Sequence, residues 1–313
     1  MRRGRHLPLL LLLVAPAAAA QGELPAVPAG GLVLPAGLAV VRQQLRVRSD
    51  RVELDYRLLN EGGADLVAEL AFVVPDYRYQ RSTGGYRAPE RFEAWVAGRR
   101  VPAASTARAL LVREGQPEVD VTRAVQAAGL DVAQLGGVTE GVEVQGDGRQ
   151  RPAEGRAPLS RLPEPERRAL LSRGILAADG GAVVPAWTVR ARHAWLQRFP
   201  ARAAVEVRIR YAPAAGLDSG ASPEVLARAC AGPRVRALGS EQVVVTVALA
   251  QAGGAPARPA GELELVVEPP HGAAASLCWR GSARETVGAP LVIRERQAVA
   301  PDALVHFFLP WER

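Results

Sequence analysis

The chain contains no lysine: all 39 of its basic residues are arginine. That excludes a phosphate-loop lysine, a Schiff-base lysine and a Ser-Lys dyad. Histidine is scarce too, and beyond the first twenty residues only His193, His271 and His306 occur, each isolated in sequence. The sequence has no G-x-S-x-G elbow, H-E-x-x-H, C-x-x-C or G-x-G-x-x-G. It therefore offers no metal ligand set, no cofactor fingerprint and no catalytic assignment. Aromatic residues make up 5% and cysteine contributes two residues. At 313 residues the chain is long enough to bury a core without metal support.

One long apolar run stands at the very start. Arg2, Arg3 and Arg5 precede the unbroken stretch Leu9–Val14, and Ala18 and Ala20 fit a small-x-small cleavage pattern before Gln21. Residues 1–20 read as a secretory signal peptide, too short for a membrane span. The mature chain then has no transmembrane segment, and the expected location is periplasmic or secreted. Removal of three arginines lowers the formal charge from +7 to +4. The remaining arginines alternate with apolar residues, as in Gln44–Arg48, which suits the solvent face of strands. Nucleic acid is excluded as a partner on that pattern.

The two cysteines, Cys230 and Cys278, read in an oxidising compartment as one disulfide, with two buried thiols as the alternative.

Periodicity points to a mainly β fold of two antiparallel sandwich-like lobes, with a few short helices between them. The expected divisions are 21–115, a connection over 116–185 and a C-terminal lobe over 186–313. Val52, Leu54, Tyr56 and Leu58 alternate with Glu53, Asp55 and Arg57, predicting a half-buried strand that follows a turn at Ser49-Asp50. Leu66–Val74 reads as a strand ended by Pro75, and 91–101 as a hairpin with Ala97-Gly98 at its tip. In the connection, Asp120 is expected to cap a short helix ended by Gly129, and Pro163–Arg173 to form a second helix. The segment 139–158 has no apolar period and reads as a mobile loop or linker. Downstream, strands are predicted at 189–199, 203–211, 242–250, 262–267, 274–279, 291–296 and 304–309. A helix capped by Ser222 spans 222–230.

Two aromatic groups stand out. Tyr77, Tyr79 and Tyr86 fall within ten residues, interleaved with Arg78, Arg81 and Arg87. Exposed tyrosine rings offer flat apolar faces to sugars, and arginine offers a fork to carboxylate or phosphate. Tyr77, Tyr79, Arg81, Tyr86 and Arg87 are the candidate ligand-binding residues. The alternative is an ordered edge loop whose rings pack over the sandwich end. The second group is Trp187, Trp195, Phe199 and Tyr211, expected as core rings between sheet faces, with Pro200 marking a corner.

These residues carry a resemblance. Gly30-Gly31-Leu32, Val52, Tyr56, Asn60, Asp65, Phe72, Pro75 and Asp76 are similar to the opening pattern of a bacterial exported family, domain-of-unknown-function family 4424. Trp187, Trp195, Gln197, Phe199-Pro200-Ala201, Arg210-Tyr211, Pro213 and Gly216 fit its W…WxQxFPA…RYxPxxG pattern, and Ser276–Trp279 continues it. The resemblance implies export and a β fold, and brings no activity with it. The reading of the residues is a non-enzymatic binding or structural module for a protein or glycan partner in the cell envelope. The alternative is a periplasmic hydrolase acting on an envelope glycan or ester.

Overall fold

The computed structural model describes residues 31–79, 85–87, 90–113, 115–133, 135, 142–144, 150–152, 159, 162–179, 182–218, 220–239, 241–249, 251–252, 261–296 and 304–310. The expected signal peptide lies outside them. The fold is mainly β, with four short helices among the described residues. Among the described residues, three larger sheets hold seven, seven and six strands, and two further pairs of strands form small hairpins.

The first large sheet (sheet A) is centred on Thr188–Phe199, which pairs antiparallel with Leu66–Val73 on one side and Ala104–Leu111 on the other. The second (sheet B) is centred on Val52–Asn60, flanked by Leu38–Val47 and Ala204–Ala212. Two of the strand pairs are parallel: Gly31–Val33 with Gln251–Ala252, and Leu38–Val47 with Glu262–Val267. Both of these sheets combine strands from 21–115 with strands from 186–313, so each is assembled from segments far apart in the chain.

Alternation decides which side chains enter the core. Val52, Leu54, Tyr56 and Leu58 are fully buried on sheet B. They pack in one cluster with Leu70, Phe72, Trp187, Trp195 and Phe199 of sheet A and its approaches. Phe72 and Tyr211 meet across the interface with ring centroids 5.5 Å apart. The outer face of sheet B carries ion pairs instead, Arg208 with Asp55 and Arg210 with Glu53 among them.

The third sheet (sheet C) is read from its apolar runs. Val243–Val247 and Val305–Leu309 are apolar except for Thr246 and His306 rather than alternating, as expected of strands covered on both faces. One face adds Val245, Val247, Phe307 and Leu277 to the main core. The other carries Val244, Ala274 and Phe308 under the helices Pro223–Arg228 and Pro233–Arg236. Ser222 caps the first helix, its side chain accepting from the Val225 N–H. Cys230, just after that helix, is disulfide-bonded to Cys278 on sheet C, with Cα atoms 5.3 Å apart.

Where the chain passes between sheets A and B, two crossings are clasped together. Val52–Asn60 leads into Leu66–Val73, and Thr188–Phe199 leads through Pro200 into Ala204–Ala212. Asn60, the single asparagine of the chain, sits buried at this corner. Its Nδ2 donates to the carbonyls of Ala64, Phe199 and Pro200 at 2.9, 3.1 and 3.1 Å, and its Oδ1 accepts from Gly62 N–H at 2.9 Å. Asp65 accepts from Ala201 N–H at 2.9 Å and from Arg198 at 3.0 Å. The Arg198 guanidinium holds the Asp65 carboxyl below its ordinary range. The F-P-A element of the sequence pattern is thus a clasped crossing.

Two details differ from the sequence reading. The first helix is Thr122–Ala127 with Val121 in the cap position. Asp120 lies one residue earlier, in a short strand, and accepts from Thr122 N–H and from Arg108. Within 139–158, Val142–Val144 and Gln150–Pro152 pair as a hairpin, and the rest of that segment lies outside the described residues. The second helix, Glu164–Ser172, has Glu164 in its first turn paired with Arg168 at 3.0 Å.

Candidate functional site

A cleft of about 580 Å³ opens where the ends of all three sheets meet. One wall is made where Leu66–Val73 gives out. Pro75 has no N–H to continue a ladder, so the chain breaks off and resumes pairing at Tyr77–Arg78 against Thr188–Val189. Asp76 falls in this break. The second wall is Tyr211 to Ala214, leaving sheet B, and the third comes from Gly216, Asp218, Thr246 and Leu304 of sheet C with Arg228 from the covering helix.

Arg190 organises the first wall. Its Nε and Nη2 donate to the Asp76 carboxylate at 3.1 and 2.6 Å, and its Nη1 and Nη2 donate to Glu118 at 2.9 and 3.0 Å. One planar guanidinium thereby fixes two carboxylates. Burial pushes the Asp76 carboxyl up from its ordinary value, against the pull of Arg190. Glu118, more exposed, is held low by its hydrogen bond to Arg190, and Arg190 itself is raised by both acids. Across the cleft Arg228 donates to Asp218 at 3.0 Å. Tyr211 backs the cleft at 2% exposure; its hydroxyl is buried in the core, close enough to Tyr56 to add to the rise that burial causes in the pKa of that residue, and has no hydrogen-bond partner among the described residues.

The start of the tyrosine-arginine segment borders this cleft, and two of its tyrosines are turned towards the core. Tyr77 is 6% exposed and donates from its hydroxyl to the Ala133 carbonyl at 2.9 Å; burial raises its pKa. Tyr79 is half-buried against the core. Arg78, by contrast, is exposed and lines the cleft. Tyr86 and Arg87 lie in the short strand Gly85–Arg87, which pairs with Ala215–Leu217 beside the cleft. Arg81 lies outside the described residues.

The second aromatic group is buried. Trp187 is fully buried and donates from Nε1 to the Val132 carbonyl at 3.1 Å, so that Trp187 and Tyr77 pin consecutive residues, 132 and 133. Trp195 and Phe199 lie in the core, and Gln197 donates to the Arg198 carbonyl at 2.7 Å.

The histidines are separate from the cleft lining. His193 stacks on Phe92 with centroids 3.8 Å apart, and its Nδ1 lies 2.7 Å from Ser105 Oγ. Burial pulls its pKa down to about 4. His306, buried and 2.9 Å from Thr246 Oγ1, is likewise at about 4 through burial. His271 is exposed in a turn. No group of three or more potential metal-ligating residues occurs among the described residues.

Sequence reasoning did not single out Arg190, Glu118, Asp218 or Arg228. Arg190 sits in an alternating strand like many other arginines, and its partners lie 114 and 72 residues away. The usable signal was the pattern itself: Pro75, Asp76, Tyr211, Pro213 and Gly216, which carry the family resemblance, all line the cleft.

A family model described as "Domain of unknown function (DUF4424)" matches residues 26–237. The chain belongs to this family. The matched stretch holds every charged residue of the cleft, while Thr246, Ala248 and Leu304 are added from beyond it. No curated protein matches the chain. Among solved structures, a protein of Legionella pneumophila subsp. pneumophila str. Philadelphia 1 described as a "putative nutrient binding protein" is similar at 10% identity. The match covers 90% of this chain and 71% of that one, with a TM-score of 0.37.

Proposed function

We propose that this protein is an exported, non-enzymatic binding module of the cell envelope whose ligand seats in the three-sheet cleft. The observation that carries the reading is the Asp76–Arg190–Glu118 network, in which one guanidinium at the cleft wall bonds two carboxylates, Asp76 half-buried and Glu118 exposed. Its charges are spent on each other, which suits recognition rather than proton transfer. The Cys230–Cys278 disulfide fits an oxidising compartment. No helix among the described residues is long and apolar enough to cross a membrane.

The test uses immobilised mature protein exposed to solubilised envelope extract. Ala248→Trp, placed on the cleft lining, fills the opening from sheet C. Retention of a component by the wild type and its loss in A248W is the expected result. Equal retention by both, or none by either, overturns the reading.

The hydrolase reading has one specific observation behind it, the 2.7 Å approach of Ser105 Oγ to His193 Nδ1. A pKa near 4 makes His193 a weak base, and no carboxylate among the described residues hydrogen-bonds its ring. Labelling of Ser105 by a fluorophosphonate would favour the hydrolase; an unlabelled Ser105 leaves the binding reading alone.

A further inference from the structure

We propose that the core between sheets A and B encloses an internal water site built by Gln43, Tyr56 and Tyr211. The site stands whether or not the cleft holds a ligand. Its three side chains point inward from neighbouring strands of sheet B, Leu38–Val47, Val52–Asn60 and Ala204–Ala212. Gln43 and Tyr56 are 0% exposed and Tyr211 is 2% exposed. Gln43 and Tyr56 stand directly opposite each other in the register of their strands, where paired Cβ atoms lie about 4.5–5.5 Å apart. Burial raises the pKa of Tyr56, and Tyr211 lies near enough to raise it further.

Four polar atoms of this group, Gln43 Nε2 and Oε1 and the two tyrosine hydroxyl oxygens, have no hydrogen-bond partner among the described residues. Left dry, each costs more than an ordinary hydrogen bond gains. The inward residues beside them on the same strands, Leu45, Leu54, Leu58 and Ile209, are fully buried and apolar, so they supply no partner. The chemistry of the group decides what does. An apolar guest would leave all four atoms unpaired. An ion finds no opposite charge here, because Gln43 is neutral and burial keeps both phenols protonated. A direct bond between Gln43 and Tyr56 would use only one of the amide's hydrogen-bonding positions and leave the rest unpaired. A water molecule accepts from Nε2 or a tyrosine O–H and donates to Oε1 or a hydroxyl oxygen. Buried waters typically make about three such bonds to groups that lack other partners, and this group offers that many.

The experiment counts long-lived water in the mature protein by magnetic relaxation dispersion of the solvent, and compares urea midpoints at pH 7. The variants are Gln43→Met, close in shape and without polar hydrogens, Tyr56→Phe, and the two combined; Gln43→Leu replaces Gln43→Met if the methionine variant fails to fold. The expected result is that Q43M holds at least one long-lived water fewer than wild type. Its midpoint falls, because the tyrosine hydroxyls lose the water that served them, and the midpoint of Y56F falls too. The double variant falls by less than the sum of the single falls, since either change already breaks the shared bridge. An unchanged count of long-lived waters in Q43M overturns the proposal even if the two substitutions are coupled, because coupling without loss of water describes a direct amide–hydroxyl bond. A Q43M midpoint above that of wild type also overturns it, since that is the relief expected on removing a dry, unpaired amide.

Discussion

Replacing Asn60 with alanine isolates the contribution of the clasped crossing. Asn60 is 2% exposed, and its side chain is the shared partner of three carbonyls and one N–H drawn from both crossings between sheets A and B. Two Nδ2 hydrogens serve three carbonyls, so one bond is shared, and the four contacts amount to about three full bonds. At about 1 kcal/mol each, Asn60→Ala loses roughly 3–4 kcal/mol. The Phe199 carbonyl, left without its Asn60 partner inside the fold, keeps the value toward the upper end. For a chain of this size that is a fall in Tm of roughly 6–12 °C. Asn60→Asp provides the internal control: it keeps the shape and the acceptor for Gly62 but turns a carboxylate toward three carbonyls, so it is expected to melt no higher than the alanine variant. Both are read by calorimetry and by urea unfolding at pH 7. An Asn60→Ala protein that melts within about 1 °C of wild type refutes the clasp.

Three further outcomes follow from the packing and the titrations. Trp195→Ala empties a core site and is expected to cost about 3–5 kcal/mol in urea unfolding, whereas Trp195→Phe costs less, because the indole Nε1 has no hydrogen-bond partner among the described residues to lose. His306 has a pKa of about 4 when folded against an ordinary 6.5. The unfolded chain therefore binds the proton first, and stability is lost as pH falls from 6.5 towards 4, by about 3 kcal/mol. His306→Gln should remove its share of that slope and leave the share of His193, which burial holds at about 4 in the same way; an unchanged pH profile of the urea midpoint would contradict the burial argument. Cys230 and Cys278 are 48 residues apart, so reduction should cost up to about 4 kcal/mol on the chain-entropy model. The unreduced denatured protein should titrate no free thiols, and two thiols would refute the bridge.

The legible part of the fold was local. Val52–Asn60 declares itself through strict alternation, and the strand predicted at 242–250 is found at Gln242–Ala248. Ser222-Pro223 marks a helix start that the structure repeats. Ala104–Leu111 is different: its sequence is rich in small and polar residues, and it becomes a strand because Thr188–Phe199 offers it a ladder. Pairing over long separations, including both parallel pairs, leaves no trace in periodicity. The same holds for the cleft. Asp76 and Arg190 are brought together by the register of Leu66–Arg78 on Thr188–Phe199, which one sequence does not reveal. Tyr77 shows the converse, a residue whose neighbours suggest an exposed platform and whose short pairing with Val189 turns it inward.

Hydrogen exchange of the mature protein with and without solubilised envelope extract tests the central claim most directly, since it needs no variant and works with an unidentified ligand. The account predicts slowed exchange confined to the strands that wall the cleft, residues 74–78, 211–218 and 246–248. Protection elsewhere, for example along Glu90–Val96 on sheet B, or no protection at all, contradicts it.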